Sequence, residues 1–135
     1  MAVMPSTRLL MQASALLMAA LGLAATFLPQ EIMRYAAGPD SGLAVVMLQV
    51  MGALYVGFAL LNWMARGNLI GGIYSRPVAV GNLAHFLVAA LALGKAVLAG
   101  HHAPALVAAA IVYAAFAALF ARVVLRPPPA ATPGP

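Results

Sequence analysis

Four long apolar runs dominate the pattern of hydrophobic and polar positions along the chain. They cover Leu9–Leu28, Gly42–Ala65, Pro77–Ala99 and Ala103–Leu125, and short polar segments separate them. A helix needs about 20 apolar residues to cross the hydrocarbon of a bilayer, and each run is long enough. The pattern therefore predicts an all-α membrane protein in which residues 1–126 form one domain with four transmembrane helices.

Prolines and short connections predict how the four helices are arranged. Pro77 and Pro104 stand at the starts of two runs, where the first turn of a helix tolerates proline. Short connections place consecutive helices side by side and antiparallel, which favours an up-down-up-down bundle. The final segment 127–135, "PPPAATPGP", is rich in proline, and we predict a disordered tail.

The first apolar run has some features of a secretory signal peptide. Arg8 precedes it, and the small-residue stretch "GLAA" at 22–25 is typical of a cleavage site. However, the apolar region of a signal peptide usually covers about 7–15 residues, and this run continues to Leu28. We therefore expect a helix that remains in the mature protein.

Composition agrees with a membrane protein and excludes several classes of chemistry. Hydrophobic residues make up 65% of the 135 residues and charged residues 7%, whereas soluble domains are about 25% charged. The mean hydropathy is +1.03. There are no cysteines, which excludes disulfides, thiol redox catalysis and cysteine-ligated metals. No catalytic constellation and no cofactor are predicted.

The distribution of basic residues predicts the orientation in the membrane. Arg34 and Lys95 fall on one side, and five arginines fall on the other: Arg8, Arg66, Arg76, Arg122 and Arg126. The side richer in Lys and Arg is expected to face the cytoplasm, so both termini should be cytoplasmic in a bacterial inner membrane. Four of these arginines are predicted to contact lipid headgroups or to fix topology: Arg66, Arg76, Arg122 and Arg126.

The net charge of +5 would suggest nucleic acid as a partner of a soluble protein. Here the basic residues stand at the ends of apolar runs, where membrane orientation explains them. The expected partners are the lipid bilayer and a protein partner or further copies of the chain, and no nucleic acid is predicted.

Three polar side chains inside the apolar runs form a candidate cluster. Asn62 lies near the end of the second run, and Asn82 and His85 lie three residues apart, on one face of the third. Sequential antiparallel helices would bring all three together at similar depth. Such a cluster can be a structural clamp of hydrogen bonds, which we favour because no carboxylate or second histidine accompanies it. It can also be a site where His85 relays a proton or ligates a porphyrin metal.

Small residues at helical spacing predict where the helices touch, because they let backbones approach closely in lipid. Ala53 and Gly57 form such a pair in the second run, and Ala15 and Ala19 form a weaker one in the first. The fourth run carries a longer series at Ala110, Ala114 and Ala118.

Histidines outside the runs do not form a recognisable metal site. His101 and His102 are adjacent in a short turn, and adjacent turn residues seldom point at one ion. Glu31 and Asp40 belong to another connection and match no ligand spacing with them. We predict a solvated turn and no metal.

Two sequence segments and the overall layout resemble a known family. "LPQEI" follows the first run, and "QVMGALYVGFALLNW" fills most of the second. With four apolar runs, this layout resembles the DoxX-like group of small bacterial four-helix membrane proteins. The resemblance implies a four-helix bundle and specifies no mechanism.

These observations leave three hypotheses for function. The first is a structural or accessory subunit that binds protein partners or lipid. The second is a small transporter or permeability element that uses Asn62, Asn82 and His85. The third is a haem- or pigment-binding membrane protein with His85 as the ligand.

Overall fold

A computed structural model describes residues 5–36, 38, 41–67 and 75–126, with backbone only at 5 and 6. The described residues form helices and no strand: α1 Pro5–Phe27, α2 Pro29–Tyr35, α3 Gly42–Ala65, α4 Arg76–Leu98 and α5 Pro104–Leu125. Four of them, α1, α3, α4 and α5, are long and apolar enough to cross a membrane. The predicted all-α class with four such helices is confirmed. The chain divides into two compact units, 1–67 and 68–135.

The helix boundaries lie close to those the sequence predicts. The predicted bounds of α3 agree with the structure, and those of α4 and α5 differ by one residue. The largest shift is in α1, which begins at Pro5, four residues before the predicted Leu9. The proline explains the early start, because its fixed φ suits the first turn of a helix. The predicted tail 127–135 lies outside the described residues.

The polar segment after the first run contains a short helix, α2, which the sequence pattern did not predict. Pro29 stands at its start, Glu31 in its first turn and Arg34 in its last turn. These charges complement the helix dipole at both ends. The seven residues are too few to show an apolar periodicity, so a search for long apolar runs misses this helix.

The first unit is built around the antiparallel contact of α1 with α3. The closest approach is at two glycines: a Cβ added to Gly22 would lie 2.8 Å from the Val56 nitrogen and 2.9 Å from the Gly52 oxygen. A Cβ added to Gly52 would lie 2.8 Å from the Gly22 oxygen and 2.9 Å from the Thr26 nitrogen. The two backbones therefore touch, as small residues allow in lipid.

The small residues predicted for the helix contact in α3 do not lie on the face that meets α1. Ala53 and Gly57 are exposed, and a Cβ added to Gly57 would meet no atom within 4 Å. Gly52 and Ala59 are buried instead. Ala15 in α1 is buried, with 3% of its surface exposed, in agreement with the prediction.

In the second unit, α4 packs on α5 through aromatic rings. The Phe86 ring is stacked on Phe116 and Phe120, with centroids 4.8 Å and 5.7 Å away, and its edge meets Tyr113 at 5.3 Å. Phe86 and Phe120 are completely buried. Ala114 and Ala118, two of the small residues predicted to lie at a helix contact, are exposed and lie outside the α4–α5 contact. Large rings fill the α4–α5 contact, so dispersion between stacked faces holds this pair.

A tight glycine turn joins α4 to α5. Gly100 has φ +100°, a conformation that glycine adopts without steric cost. The Gly100 N–H donates to the Val97 carbonyl at 3.1 Å, and the His101 N–H donates to the Ala96 carbonyl at 3.2 Å. These two bonds form a Schellman motif, which ends α4 and satisfies two of its last carbonyls.

Candidate functional site

A buried hydrogen-bonded chain links α3 to α1. The Asn62 Nδ2 donates to the Ser14 Oγ at 3.1 Å, and the Ser14 Oγ donates to the Met11 carbonyl at 3.0 Å. Because Ser14 uses its only hydrogen on Met11, its oxygen must act as the acceptor for Asn62. The Asn62 Nδ2 also lies 3.9 Å from the Met18 sulfur. Asn62 and Ser14 are both fully buried, so each uses this contact to satisfy a polar group in an apolar surrounding.

A second polar contact lies toward the opposite end of the same helix pair. The Gln49 Nε2 donates to the Thr26 carbonyl at 3.3 Å, and the Thr26 Oγ1 donates to the Gly22 carbonyl at 2.8 Å. The glycine contact of Gly22 with Gly52 lies beside it. Polar contacts thus occur at two levels of the α1–α3 pair, and together they fix which residues of the two helices stand opposite each other.

In α4, the two predicted polar residues have different surroundings. Asn82 is 1% exposed, and its Nδ2 donates to the Val78 carbonyl one turn earlier at 2.9 Å. His85 is half-buried, and its Nε2 atom is buried. The His85 ring meets Phe86 edge-on at 5.1 Å and Tyr113 at 5.9 Å. His85 therefore lies beside the aromatic contact between α4 and α5, and Asn82 bonds to its own helix.

The predicted cluster of Asn62, Asn82 and His85 stays a prediction. Asn62 belongs to the first unit, and Asn82 and His85 belong to the second. What the structure does show is the bond of Asn62 to Ser14, which sequence reasoning missed. The sequence could have predicted this bond, because Ser14 and Asn62 are polar residues at similar depth in consecutive antiparallel runs.

At the end of α3, Arg66 folds back over Trp63. The guanidinium carbon lies 4.1 Å from the centroid of the indole ring, which is a cation–π contact. The Arg66 Nη1 donates to the Trp63 carbonyl, so Arg66 also satisfies one of the last carbonyls of the helix. Arg76, Arg122 and Arg126 are exposed at helix ends, and their contact with lipid stays a prediction.

Within the described residues, no three His, Cys, Asp or Glu side chains lie together in a way that could hold a metal ion. His101 and His102 are exposed in the turn after α4, and the His101 Nδ1 lies 3.2 Å from the Ala96 carbonyl. No known protein family, curated protein or solved structure matches this chain.

Proposed function

We propose that the chain is a structural or accessory subunit of a bacterial inner membrane that binds lipid or protein partners through its apolar helix faces. The helices expose large apolar side chains along their length, among them Leu9, Met47, Leu54, Val88 and Leu91. In a bilayer, such faces contact acyl chains or the helices of a partner.

The observation that carries this proposal is the hydrogen bonding of two buried asparagines, one between α3 and α1 and the other within α4. Asn62 donates to Ser14, and Asn82 donates to the carbonyl of Val78. A hydrogen bond between membrane helices, such as that of Asn62 with Ser14, averages about 0.6 kcal/mol, which is enough to specify packing. Polar groups used in this way are structural, which supports the accessory role.

A second candidate function is a transporter or a haem- or pigment-binding protein that uses His85. The observation that favours it is the position of this ionisable side chain, half-buried beside Tyr113 in the interior of α4. An ionisable residue within a membrane span is a candidate functional site by default.

Purification in mild detergent after cross-linking in cells tests the accessory role. We expect cross-linked species containing the chain together with a second protein or further copies of itself, because an accessory subunit packs part of its exposed apolar faces against the helices of a partner. The His85→Gln variant is expected to give the same species, since glutamine keeps a hydrogen-bonding amide.

Two results would contradict the accessory role and favour the second candidate. One is visible absorbance in the purified protein that His85→Gln removes, since an amide ligates haem iron poorly. The other is proton-coupled uptake into proteoliposomes that the same variant abolishes.

We also propose that both termini face the cytoplasm. The support is the arginine bias of five against two, with Arg8, Arg66 and Arg122 among the five. A reporter enzyme active only in the cytoplasm is expected to work when fused after Arg126 and to fail when inserted beside Glu31. The reverse pattern of activity would show the opposite orientation.

A further inference from the structure

Arg8 and Arg66 stand at the same level of the α1–α3 pair. Asn62 and Ser14 are opposite each other, as their hydrogen bond shows. Arg66 follows Asn62 by four residues, which is about 6 Å along the helix, and Arg8 precedes Ser14 by six residues, which is about 9 Å. Because the helices are antiparallel, both arginines lie beyond the same end of this contact and differ in level by about 3 Å.

The two arginines also continue the faces through which α1 and α3 touch. Positions 8, 15 and 22 of α1 are spaced by seven residues, as are positions 52, 59 and 66 of α3. A spacing of seven returns to nearly the same face of a helix, with a drift of about 20°. Ala15 and Ala59 are buried, and Gly22 touches Gly52. Arg8 and Arg66 are therefore the next residues on two facing stripes.

Neither acidic side chain of the sequence belongs to this end of the α1–α3 pair. The sequence contains only two acidic residues, Glu31 and Asp40, and both belong to the segment that joins the other ends of α1 and α3. The backbone positions of Arg8 and Arg66 lie at one level on facing stripes, and guanidinium groups brought together there repel each other unless an anion lies between them. Trp63 lies under the Arg66 guanidinium with 42% of its surface exposed, so an indole borders this end of the pair.

We propose that Arg8 and Arg66, with Trp63 beside them, bind the phosphate group of an anionic phospholipid. This inference rests on the membrane location in the proposed function. A guanidinium donates two parallel N–H bonds to a phosphate, and Arg66 uses only one of its five N–H groups on the Trp63 carbonyl. An indole at the headgroup level suits the interface where this phosphate lies. We assign this phosphate to a lipid headgroup, because the two arginines lie at a helix end at the membrane surface.

Quenching of Trp63 by brominated lipid tests the site, since Trp63 is the only tryptophan. The full chain is reconstituted into phosphatidylcholine vesicles that contain either brominated phosphatidylglycerol or brominated phosphatidylcholine. The wild type is expected to be quenched by lower mole fractions of phosphatidylglycerol. Each arginine near an anionic surface contributes about fivefold in affinity. Arg8→Gln should therefore reduce the preference for phosphatidylglycerol about fivefold. The double variant, which carries both Arg8→Gln and Arg66→Gln, should reduce it about thirtyfold.

The control variant is Arg34→Gln, which removes the same charge from the exposed end of α2 and should keep the full preference. Arg8→Gln is the decisive variant, because it leaves the Arg66 contact with Trp63 in place. An equal loss in Arg34→Gln would overturn the proposal by showing unspecific attraction, and so would unchanged quenching in Arg8→Gln. Loss of the lipid preference in millimolar glycerol phosphate would show a site for soluble phosphate instead.

Flotation of the vesicles in a density gradient separates this proposal from the proposed function. If the protein does not float with vesicles, the membrane location is wrong. If it floats but the two brominated lipids quench Trp63 equally, the membrane location stands and the phosphate site is wrong.

Discussion

Replacing Gly52 by leucine is expected to separate α1 from α3. Even the first carbon of the new side chain would lie 2.8–2.9 Å from the Gly22 oxygen and the Thr26 nitrogen, and both are backbone atoms. A flexible side chain could rotate away, but a helix backbone must move as a whole. Overpacking of this kind typically costs about 1–3 kcal/mol and occasionally more, and we expect a value at the upper end. Gly22→Leu should behave in the same way.

Unfolding is measured in mixed micelles as the fraction of a denaturing detergent is raised. The fluorescence of Trp63 reports the midpoint of the transition. Gly57→Leu is the matched control, because it makes the same change in the same helix at a position with no atom within 4 Å. Its midpoint should equal that of the wild type. Equal midpoints for Gly52→Leu and the wild type would mean that α1 and α3 do not touch at these glycines.

Replacing Phe86 by alanine is expected to weaken the α4–α5 pair more than any other single truncation in it. Phe86 is completely buried and its ring contacts those of Phe116, Phe120 and Tyr113. In lipid, transfer out of water contributes little, and the loss comes from the cavity that remains. At about 24 cal/mol per Å³, removal of roughly 100 Å³ costs about 2 kcal/mol.

The neighbouring Leu87 provides the control for this prediction. Its side chain is 44% exposed, so Leu87→Ala removes apolar atoms that face away from the ring contacts. Near-ultraviolet circular dichroism reports the packing of the rings during thermal unfolding. Phe86→Ala should lose this signal at a lower temperature than Leu87→Ala, and identical transitions would contradict the stacked arrangement.

The sequence was informative about which segments are helices and much less so about which faces touch. The four long apolar runs identify α1, α3, α4 and α5 because length alone marks a membrane span. A helix in lipid is apolar on all sides, so its hydrophobic pattern does not show which face meets a neighbour. The prediction therefore placed the α3 contact at Ala53 and Gly57 instead of Gly52.

The same limit applies to the candidate site. Sequence position within each run correctly identified Asn62, Asn82 and His85 as polar residues inside the helices. Depth does not show which neighbouring helix a polar group contacts, and the prediction did not include Ser14 of α1, to which Asn62 bonds. A serine in an apolar run is easy to overlook, because its hydroxyl can bond to its own helix, as Ser14 does with Met11.

The glycine turn after α4 has a consequence for how the chain enters the bilayer. Only residues 99–103 separate α4 from α5, so the two helices would insert as one hairpin. In the proposed topology, the tip of this hairpin must pass through the hydrocarbon during synthesis. The carbonyls of Ala96 and Val97 accept hydrogen bonds within the turn. Fewer backbone carbonyls at the tip of the hairpin are therefore left without a hydrogen bond. Gly100 would thus ease translocation as well as end a helix.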